Sequence, residues 1–169
     1  MSTAFVLRTG KIISVAGIGL MSLIIVISNI TDYYSNYYFV EHVMKMDSIF
    51  PDSKIHYRSV NSPFLFTTMY LLIIAMQAFM CFSCLKGTWQ MTAQRKAAAK
   101  LFHAAKKWSV IGLITGIVIW FIGFEVVGGE WFGMWQSAKW NGLYSADRVV
   151  TFIALVLILL QAGEAELTD

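Results

Sequence analysis

Four stretches of the chain are almost wholly apolar and long enough to cross a bilayer. About 20 apolar residues in a helix, each rising about 1.5 Å, cover the roughly 30 Å hydrocarbon core of a membrane. The stretches lack the two-residue alternation of barrel strands, and a lone strand cannot satisfy its backbone in lipid, so each is predicted to be a helix. The predicted spans cover about residues 12–30, 64–85, 108–127 and 146–162.

Lysine and arginine predict which side of the membrane each connection faces. The connection between the second and third spans holds six basic residues, and the segment before the first span holds two more. Because basic residues accumulate in cytoplasmic loops, this connection is predicted to be cytoplasmic, and an even number of spans brings the N- and C-termini to the same side. The acidic tail residues Glu164, Glu166 and Asp169 carry little weight in this rule.

The first outer connection, residues 31–62, carries a further helical pattern. Apolar residues recur at helical spacing from Phe39 to Met44, which predicts a short amphipathic helix. Pro63 follows at the start of the second span, where proline suits the first helical turn. The predicted fold is therefore all-α. It is a four-helix transmembrane bundle with a short amphipathic helix in the first outer connection, and it forms a single integral membrane domain over residues 1–169.

Composition excludes several classes of protein. Hydrophobic residues make up 57% of the chain and charged residues 14%, whereas a soluble domain carries about 25% charged residues. The net charge of +3 is small and the basic residues gather in one loop, so nucleic-acid binding is not expected. Both cysteines, Cys81 and Cys84, lie inside an apolar span, so no disulfide framework is expected.

Polar residues inside the spans predict contacts in the bundle interior. Tyr70, Gln77 and Cys81 share one face of the second span, and this face should look inward because lipid offers an amide no partner. Asn29 is expected to face inward from the first span. These groups either form interhelical hydrogen bonds, each contributing about 0.6 to 2 kcal/mol, or line a polar pocket for a small ligand.

No residue pattern predicts a metal, a cofactor or a catalytic group. Cys81-x-x-Cys84 forms one turn of a continuous helix without a third cysteine or a histidine at that depth, so neither zinc nor redox chemistry is expected. The histidines lie in the connections rather than at mid-membrane, so a bis-histidine haem is not expected. Glu125 is expected at the outer interface, within reach of water or Arg148, and its role stays open.

Small residues predict close contacts between helices. Gly112 and Gly116 are four positions apart on the third span, which is a helix-packing signal. Ser14 and Gly17 form a similar stripe on the first span. Both stripes are expected to pack within the bundle, with self-association as the alternative.

The second outer connection, residues 128–142, is dense in aromatic residues. Its paired Gly128 and Gly129 are expected to allow a sharp chain reversal at the membrane edge. The segment either tucks its tryptophans under the lipid headgroups or caps the outer mouth of the bundle and contacts a ligand or partner. The candidate ligand or partner contacts in the whole chain are Asn29, Tyr70, Gln77, Glu130, Trp131, Trp135, Gln136, Trp140 and Asn141.

Several of these segments resemble a known family. They are Asn29-Ile-Thr-Asp-Tyr33, Phe39-Val-Glu-His-Val43, Met46-Asp47, Phe50-Pro51, Gly128-Gly-Glu-Trp-Phe-Gly-Met-Trp-Gln-Ser137 and Trp140-Asn-Gly142. Over nearly its whole length the chain resembles the bacterial family of predicted small integral membrane proteins of unknown function. The resemblance implies a multi-pass protein with four spans in the bacterial inner (cytoplasmic) membrane, and it brings no established activity. The family pattern leads us to expect an apolar residue where this chain has Glu125, so that carboxylate receives no family-wide role.

The sequence leaves two hypotheses for function. No nucleophile–base pair, phosphate loop or metal-ligand cluster appears in it, so an autonomous enzyme is the weakest class. The first hypothesis is an accessory or scaffolding subunit of a membrane complex, or a small homo-oligomer, because the chain is short and carries packing glycines and aromatic outer loops. The alternative is a binder or transporter of a small molecule or lipid in a polar pocket under the Trp-rich outer loop. The expected partners are membrane lipids and other membrane subunits or a second copy of the chain, with no nucleic acid and no cofactor.

Overall fold

Every regular element in residues 2–167, the part of the chain that the computed structural model describes, is a helix. The all-α prediction is therefore confirmed. The elements are α1 (Thr3–Thr31), α2 (Tyr33–Lys45), a 3-10 turn (His56–Arg58), α3 (Pro63–Ala93), α4 (Ala99–Ala105), α5 (Lys107–Ile117), a π-helical segment (Val118–Trp131), a second 3-10 turn (Met134–Gln136) and α6 (Leu143–Gln161).

Four helical stretches in the described part of the chain are long and apolar enough to cross a membrane: α1, α3, the continuous run from α4 through the π-helical segment, and α6. They contain the four predicted spans to within one residue, although α3 continues to Ala93, well past the predicted end at residue 85. The helix α2 confirms the predicted amphipathic helix, and Met44 is its buried residue. Pro63 occupies the first turn of α3, as predicted.

The third span ends later than the sequence predicts. Gly128 and Gly129 stay inside the π-helical segment, so the chain reversal predicted at this pair is wrong. The reversal lies at Gly133, whose φ of 64° is in the left-handed region that glycine adopts without steric cost. The glycine pair has a packing role instead, since a Cβ on Gly129 would lie 3.0 Å from Leu143 Cδ2.

The helix α3 lies between α1 and α5, and α6 packs against α5, the π-helical segment and α1. Glycines on α5 allow close approach to its neighbours. A Cβ on Gly112 would lie 2.6 Å from Cys84 Sγ, and one on Gly116 would lie 2.8 Å from Ile153 Cδ1. The predicted packing role of these two glycines is confirmed.

The first and last helices meet at one end of the bundle. Lys11 Nζ donates to the Ala162 carbonyl at 2.7 Å, so the beginning of α1 and the end of α6 are neighbours. We call this end, which also carries α4, the termini end. We call the opposite end, which carries α2 and residues 46–62 and 132–142, the loop end.

Candidate functional site

A buried hydrogen-bond network joins α1 to α3. Asn29 Nδ2 donates to Gln77 Oε1 at 2.6 Å, and Ser22 Oγ donates to the Gln77 carbonyl at 2.8 Å. The Tyr70 hydroxyl donates to the Asn29 carbonyl at 3.0 Å, and all four residues are buried. The polar residues of the first and second spans were expected either to form interhelical hydrogen bonds or to line a polar pocket, and the structure has the interhelical hydrogen bonds.

Arg58 ties the first connection at the loop end to the end of the π-helical segment. Its Nη1 donates to the carbonyls of Glu130 and Trp131 at 3.4 and 3.3 Å, and its guanidinium carbon lies 4.9 Å from the centroid of the Trp131 ring. The last carbonyls of a helix lack partners within the helix, so Arg58 supplies the missing donors. The Ser48 and Ser137 hydroxyls, 2.7 Å apart, add a second link.

Aromatic contacts hold α2 against the same end. The rings of His42 and Trp140 stack with centroids 4.4 Å apart and planes 8° apart, while His42 Nδ1 lies 2.6 Å from Asp47 Oδ2. At the start of α2, the Tyr33 ring meets the Tyr70 ring of α3 edge-on at 4.8 Å. Residues 33–62 and 130–142 thus form one layer over the loop end, which we call the cap.

The other predicted contacts in the cap have local neighbours. Trp135 meets Phe50 edge-on at 5.9 Å, and Asn141 Oδ1 accepts from the Leu143 N–H at 3.1 Å, at the first turn of α6. Gln136 Oε1 is buried without a hydrogen-bond partner in residues 2–167. The predicted contacts therefore fall into two groups, the network between α1 and α3 and the cap, and their role in binding a ligand or partner stays a prediction.

An apolar cavity of about 320 Å³ lies beneath the cap. Its walls come from α2, α3, the π-helical segment and residues 132–134, and the residues that line it are apolar or glycine. The predicted contact residues lie outside that lining. A polar ligand would lose its hydration there without gaining hydrogen bonds, so this cavity is not the polar pocket that the alternative hypothesis requires.

The cavity exists because α3 and the π-helical segment diverge toward the loop end. α3 packs closely against α5 but barely touches the π-helical segment that follows it. Hydrogen bonds to the fifth preceding residue are rare and usually confined to one turn, yet here the segment runs for 14 residues. The Phe132 N–H donates to the Val127 carbonyl at 3.0 Å, so this spacing persists to the start of the cap.

Glu125 lies on the π-helical segment and is half-buried. Its Oε1 is buried and has no hydrogen-bond partner within residues 2–167. Arg148 is exposed and does not pair with it: none of the ion pairs among the described residues involves Glu125. Glu125 was expected to reach water or Arg148, and the structure lacks the contact with Arg148.

A buried ion cluster holds the C-terminal tail at the termini end. Glu164 Oε1 accepts from Lys11 Nζ at 2.6 Å and from Lys106 Nζ. Lys106 Nζ also donates to the Leu160 carbonyl at 2.7 Å. The three side chains are between 2% and 6% exposed. Glu164 Oε2 also lies 3.8 Å from Nε of the buried Arg8, so Glu164 is a shared anion for three buried cations.

The Arg8 side chain binds a backbone carbonyl of the same tail. Its Nη1 donates to the carbonyls of Ala97 at 2.6 Å and Arg95 at 3.2 Å, and its Nη2 donates to the Ala165 carbonyl at 2.9 Å. The side chain is fully buried, and its guanidinium carbon lies 4.9 Å from the centroid of the Phe102 ring. One arginine therefore joins α1, the connection between α3 and α4, and the tail.

The neighbouring cations change the pKa of Glu164. Burial raises the pKa of this carboxyl, but the hydrogen bonds from Lys106 and Lys11 outweigh burial and bring the pKa below its ordinary value of 4.5. The sequence prediction missed this cluster, since it treated the basic residues as a topology signal and gave the tail acids little weight. The signal that could have revealed it is the charge complementarity between an acidic tail and basic helix ends.

Four apolar membrane-crossing helices within residues 2–167 define the class of the protein as a four-span α-helical integral membrane protein. The chain belongs to the family described as "Predicted small integral membrane protein (DUF2165)", whose model matches residues 7–162. The resemblance to a family of predicted small integral membrane proteins is thereby confirmed. Neither a curated protein nor a solved structure matches the chain, and the family description names no activity.

Proposed function

We propose that this protein is a small accessory or scaffolding subunit, which associates through α1 with a second copy of itself or with another membrane subunit. The observation that supports this function is an open face of α1. A Cβ on Gly10 or Gly17 would meet nothing within 4 Å among the described residues, whereas a Cβ on Gly19, on the opposite face, would lie 2.9 Å from Leu85 Cδ2. We call the stripe of Gly10, Ser14 and Gly17 the small-residue face.

The small-residue face has the features that favour helix association in lipid. Lipid tails are as apolar as the side chains, so helices associate through close packing, and small residues let their backbones approach. Ser14 Oγ donates to the Gly10 carbonyl at 2.9 Å, which leaves its hydroxyl satisfied within the helix. Ile13 and Leu20 beside this face are 65% and 53% exposed, and they form ridges next to a shallow groove.

Gly17→Leu is expected to weaken this association while leaving the fold intact. A leucine fills the groove and keeps the partner backbone at a distance, while its Cβ meets no other described residue of its own chain. Native mass spectrometry from mild detergent should show a defined oligomer or complex for the wild type. The variant should shift toward monomer. Its dissociation constant should be about tenfold larger, which corresponds to a loss of about 1.4 kcal/mol of association free energy.

Gly123→Leu is the matched control for this experiment. It makes the same substitution at a glycine that is also open, where a Cβ would meet only the Val118 carbonyl oxygen at 3.7 Å, but on a different helix. The proposal requires this control to associate like the wild type. A wild-type chain that is a clean monomer without a co-purifying subunit, or a Gly17→Leu variant that associates normally, would contradict the proposal.

We infer that the termini end faces the cytoplasm and that the membrane is the bacterial inner membrane. The connection over residues 86–107 holds six basic residues, of which Lys106 is engaged by the tail. Five basic residues therefore remain there for contact with the cytoplasmic leaflet, and basic residues near the ends of spans favour the cytoplasmic side.

Reporter fusions are expected to place the C-terminus in the cytoplasm. A green fluorescent protein fused after Asp169 should fluoresce in cells, and alkaline phosphatase fused at the same point should be inactive, because the phosphatase needs an oxidising compartment for its disulfides. Phosphatase inserted at Ser53, in the first connection of the loop end, is the control and should be active. An active C-terminal phosphatase fusion would overturn the orientation.

A further inference from the structure

We propose that the apolar cavity binds one acyl chain of a membrane phospholipid, which enters sideways from the leaflet at the loop end. The depth of the cavity supports a lipid source. Its α3 wall runs from Met69 to Met76, and these residues lie about 9 and 20 Å along the helix from Pro63, at about 1.5 Å per residue. With the loop-end boundary of the roughly 30 Å hydrocarbon core near Pro63, that stretch begins in the half nearer the loop end and reaches just past the middle.

One side of the cavity faces lipid and the other is enclosed. Leu72 on α3 and Ile122 on the π-helical segment line the cavity and are 49% and 44% exposed, whereas Ile119 and Met134 line it and are 4% and 2% exposed. The gap therefore runs from the lipid-facing surface of the bundle to its interior. Within the bilayer core, what lies against such a surface is hydrocarbon rather than water.

The cavity is large enough for part of one acyl chain. At about 30 Å³ for a group the size of a water molecule, its volume of about 320 Å³ has room for about ten such groups, which matches much of one acyl chain.

The chemistry of the walls suits a flexible hydrocarbon. Four methionines line the cavity, and their unbranched, polarisable side chains adapt to an occupant of variable shape. Lys45 follows the lining residue Met44 in sequence, and its Nζ lies 5.6 Å from the centroid of the Phe66 ring, one helical turn outward from Met69. This ammonium is paired with Glu41, so the walls attract the occupant through apolar contact rather than through charge.

Photolabelling tests this site directly. The full chain is reconstituted into phosphatidylcholine vesicles that contain phosphatidylcholine with a diazirine at the middle of one acyl chain, and labelled residues are mapped by mass spectrometry. Ile119 and Met134 should be labelled, because lipid reaches these buried residues only by entering the cavity. Leu113 and Ile153, which are 0% exposed and outside the lining, should not be labelled.

Gly123→Leu is expected to block the cavity. Gly123 is a lining residue with space for a side chain, and the added leucine should lower labelling of Ile119 and Met134 about tenfold. Gly17→Leu is the matched control, since it adds the same side chain to the small-residue face of α1, and labelling of the two residues should stay at the wild-type level. The proposal would be overturned if Ile119 and Met134 were labelled no more strongly than Leu113, or if Gly123→Leu left their labelling unchanged. Both outcomes can be read whether or not the chain associates with a partner.

Discussion

Glu164→Ala is expected to destabilise the protein by about 3 kcal/mol or more, because removing one partner of a buried ion pair leaves an uncompensated charge. Here two ammonium groups, those of Lys11 and Lys106, share this carboxylate and are at most 4% exposed. Without it, their acceptors among the described residues would be the carbonyls of Ala162 and Leu160. Thermal unfolding of the purified chain in mild detergent measures the loss.

Glu166→Ala is the control, since it removes a carboxylate two residues along the same tail. Its two oxygens accept from the Ala99 N–H at 3.1 and 3.0 Å, at the start of α4, and the residue is exposed. Loss of such a cap costs about 1 kcal/mol. Equal destabilisation by the two variants would mean that the tail as a whole, rather than the buried ion cluster, carries the effect.

The same carboxylate gives the stability a pH dependence. The pKa of Glu164 in the folded chain lies below its ordinary value of 4.5, so its ion pairs contribute their full stability above that value. Their contribution should be lost as the pH falls through the lower, folded pKa. Unfolding temperatures measured from pH 7 down to pH 3 should therefore show a fall below pH 4.5 that Glu164→Gln reduces, and an undiminished fall in that variant would assign it to other groups.

Most of the bundle can be predicted from hydropathy because each span is a strong apolar run by itself. The type of helix within the third span cannot be predicted in this way. In residues 118–131 apolar residues and glycine fill nearly every position, so no polar face marks whether the period is that of an α-helix or of a π-helix. The chain reversal was misplaced for a related reason, because a glycine pair permits a turn or close packing equally, and here Gly128 and Gly129 are packed.

Some of the buried polar groups could be placed from the sequence and others could not. Gln77 could be placed in the interior because an amide in an apolar span must find a partner, and Asn29 was expected to face inward on the first span. The ion cluster could not be found by such a rule. Glu164 lies in a non-helical tail and is 153 residues from Lys11, so neither periodicity nor spacing relates the two, and the apolar cavity likewise depends on a divergence of helices that no single segment encodes.

Arg8→Ala is expected to destabilise the termini end by about 3 kcal/mol, since hydrogen bonds to a charged group contribute about 1.5 to 3 kcal/mol each and are not additive. The variant would leave the carbonyls of Arg95, Ala97 and Ala165 without this donor. Backbone amide hydrogen exchange should become faster in residues 95–99 and 162–167. The amides of α1 and α3 near Asn29 and Gln77 should keep their protection from exchange.

Two further substitutions separate the geometry of Arg8 from its charge. Arg8→Lys keeps the charge, but an ammonium group cannot reproduce a planar fork that bonds carbonyls on two sides, so it should recover only part of the stability. Arg95→Ala is the matched arginine control: its side chain bonds locally to the Thr92 carbonyl, and an exposed substitution of this kind changes stability by about 0.5 kcal/mol or less. If Arg8→Lys were as stable as the wild type, charge alone would account for the effect. The three carbonyl hydrogen bonds would then not be what joins α1, the α3–α4 connection and the tail.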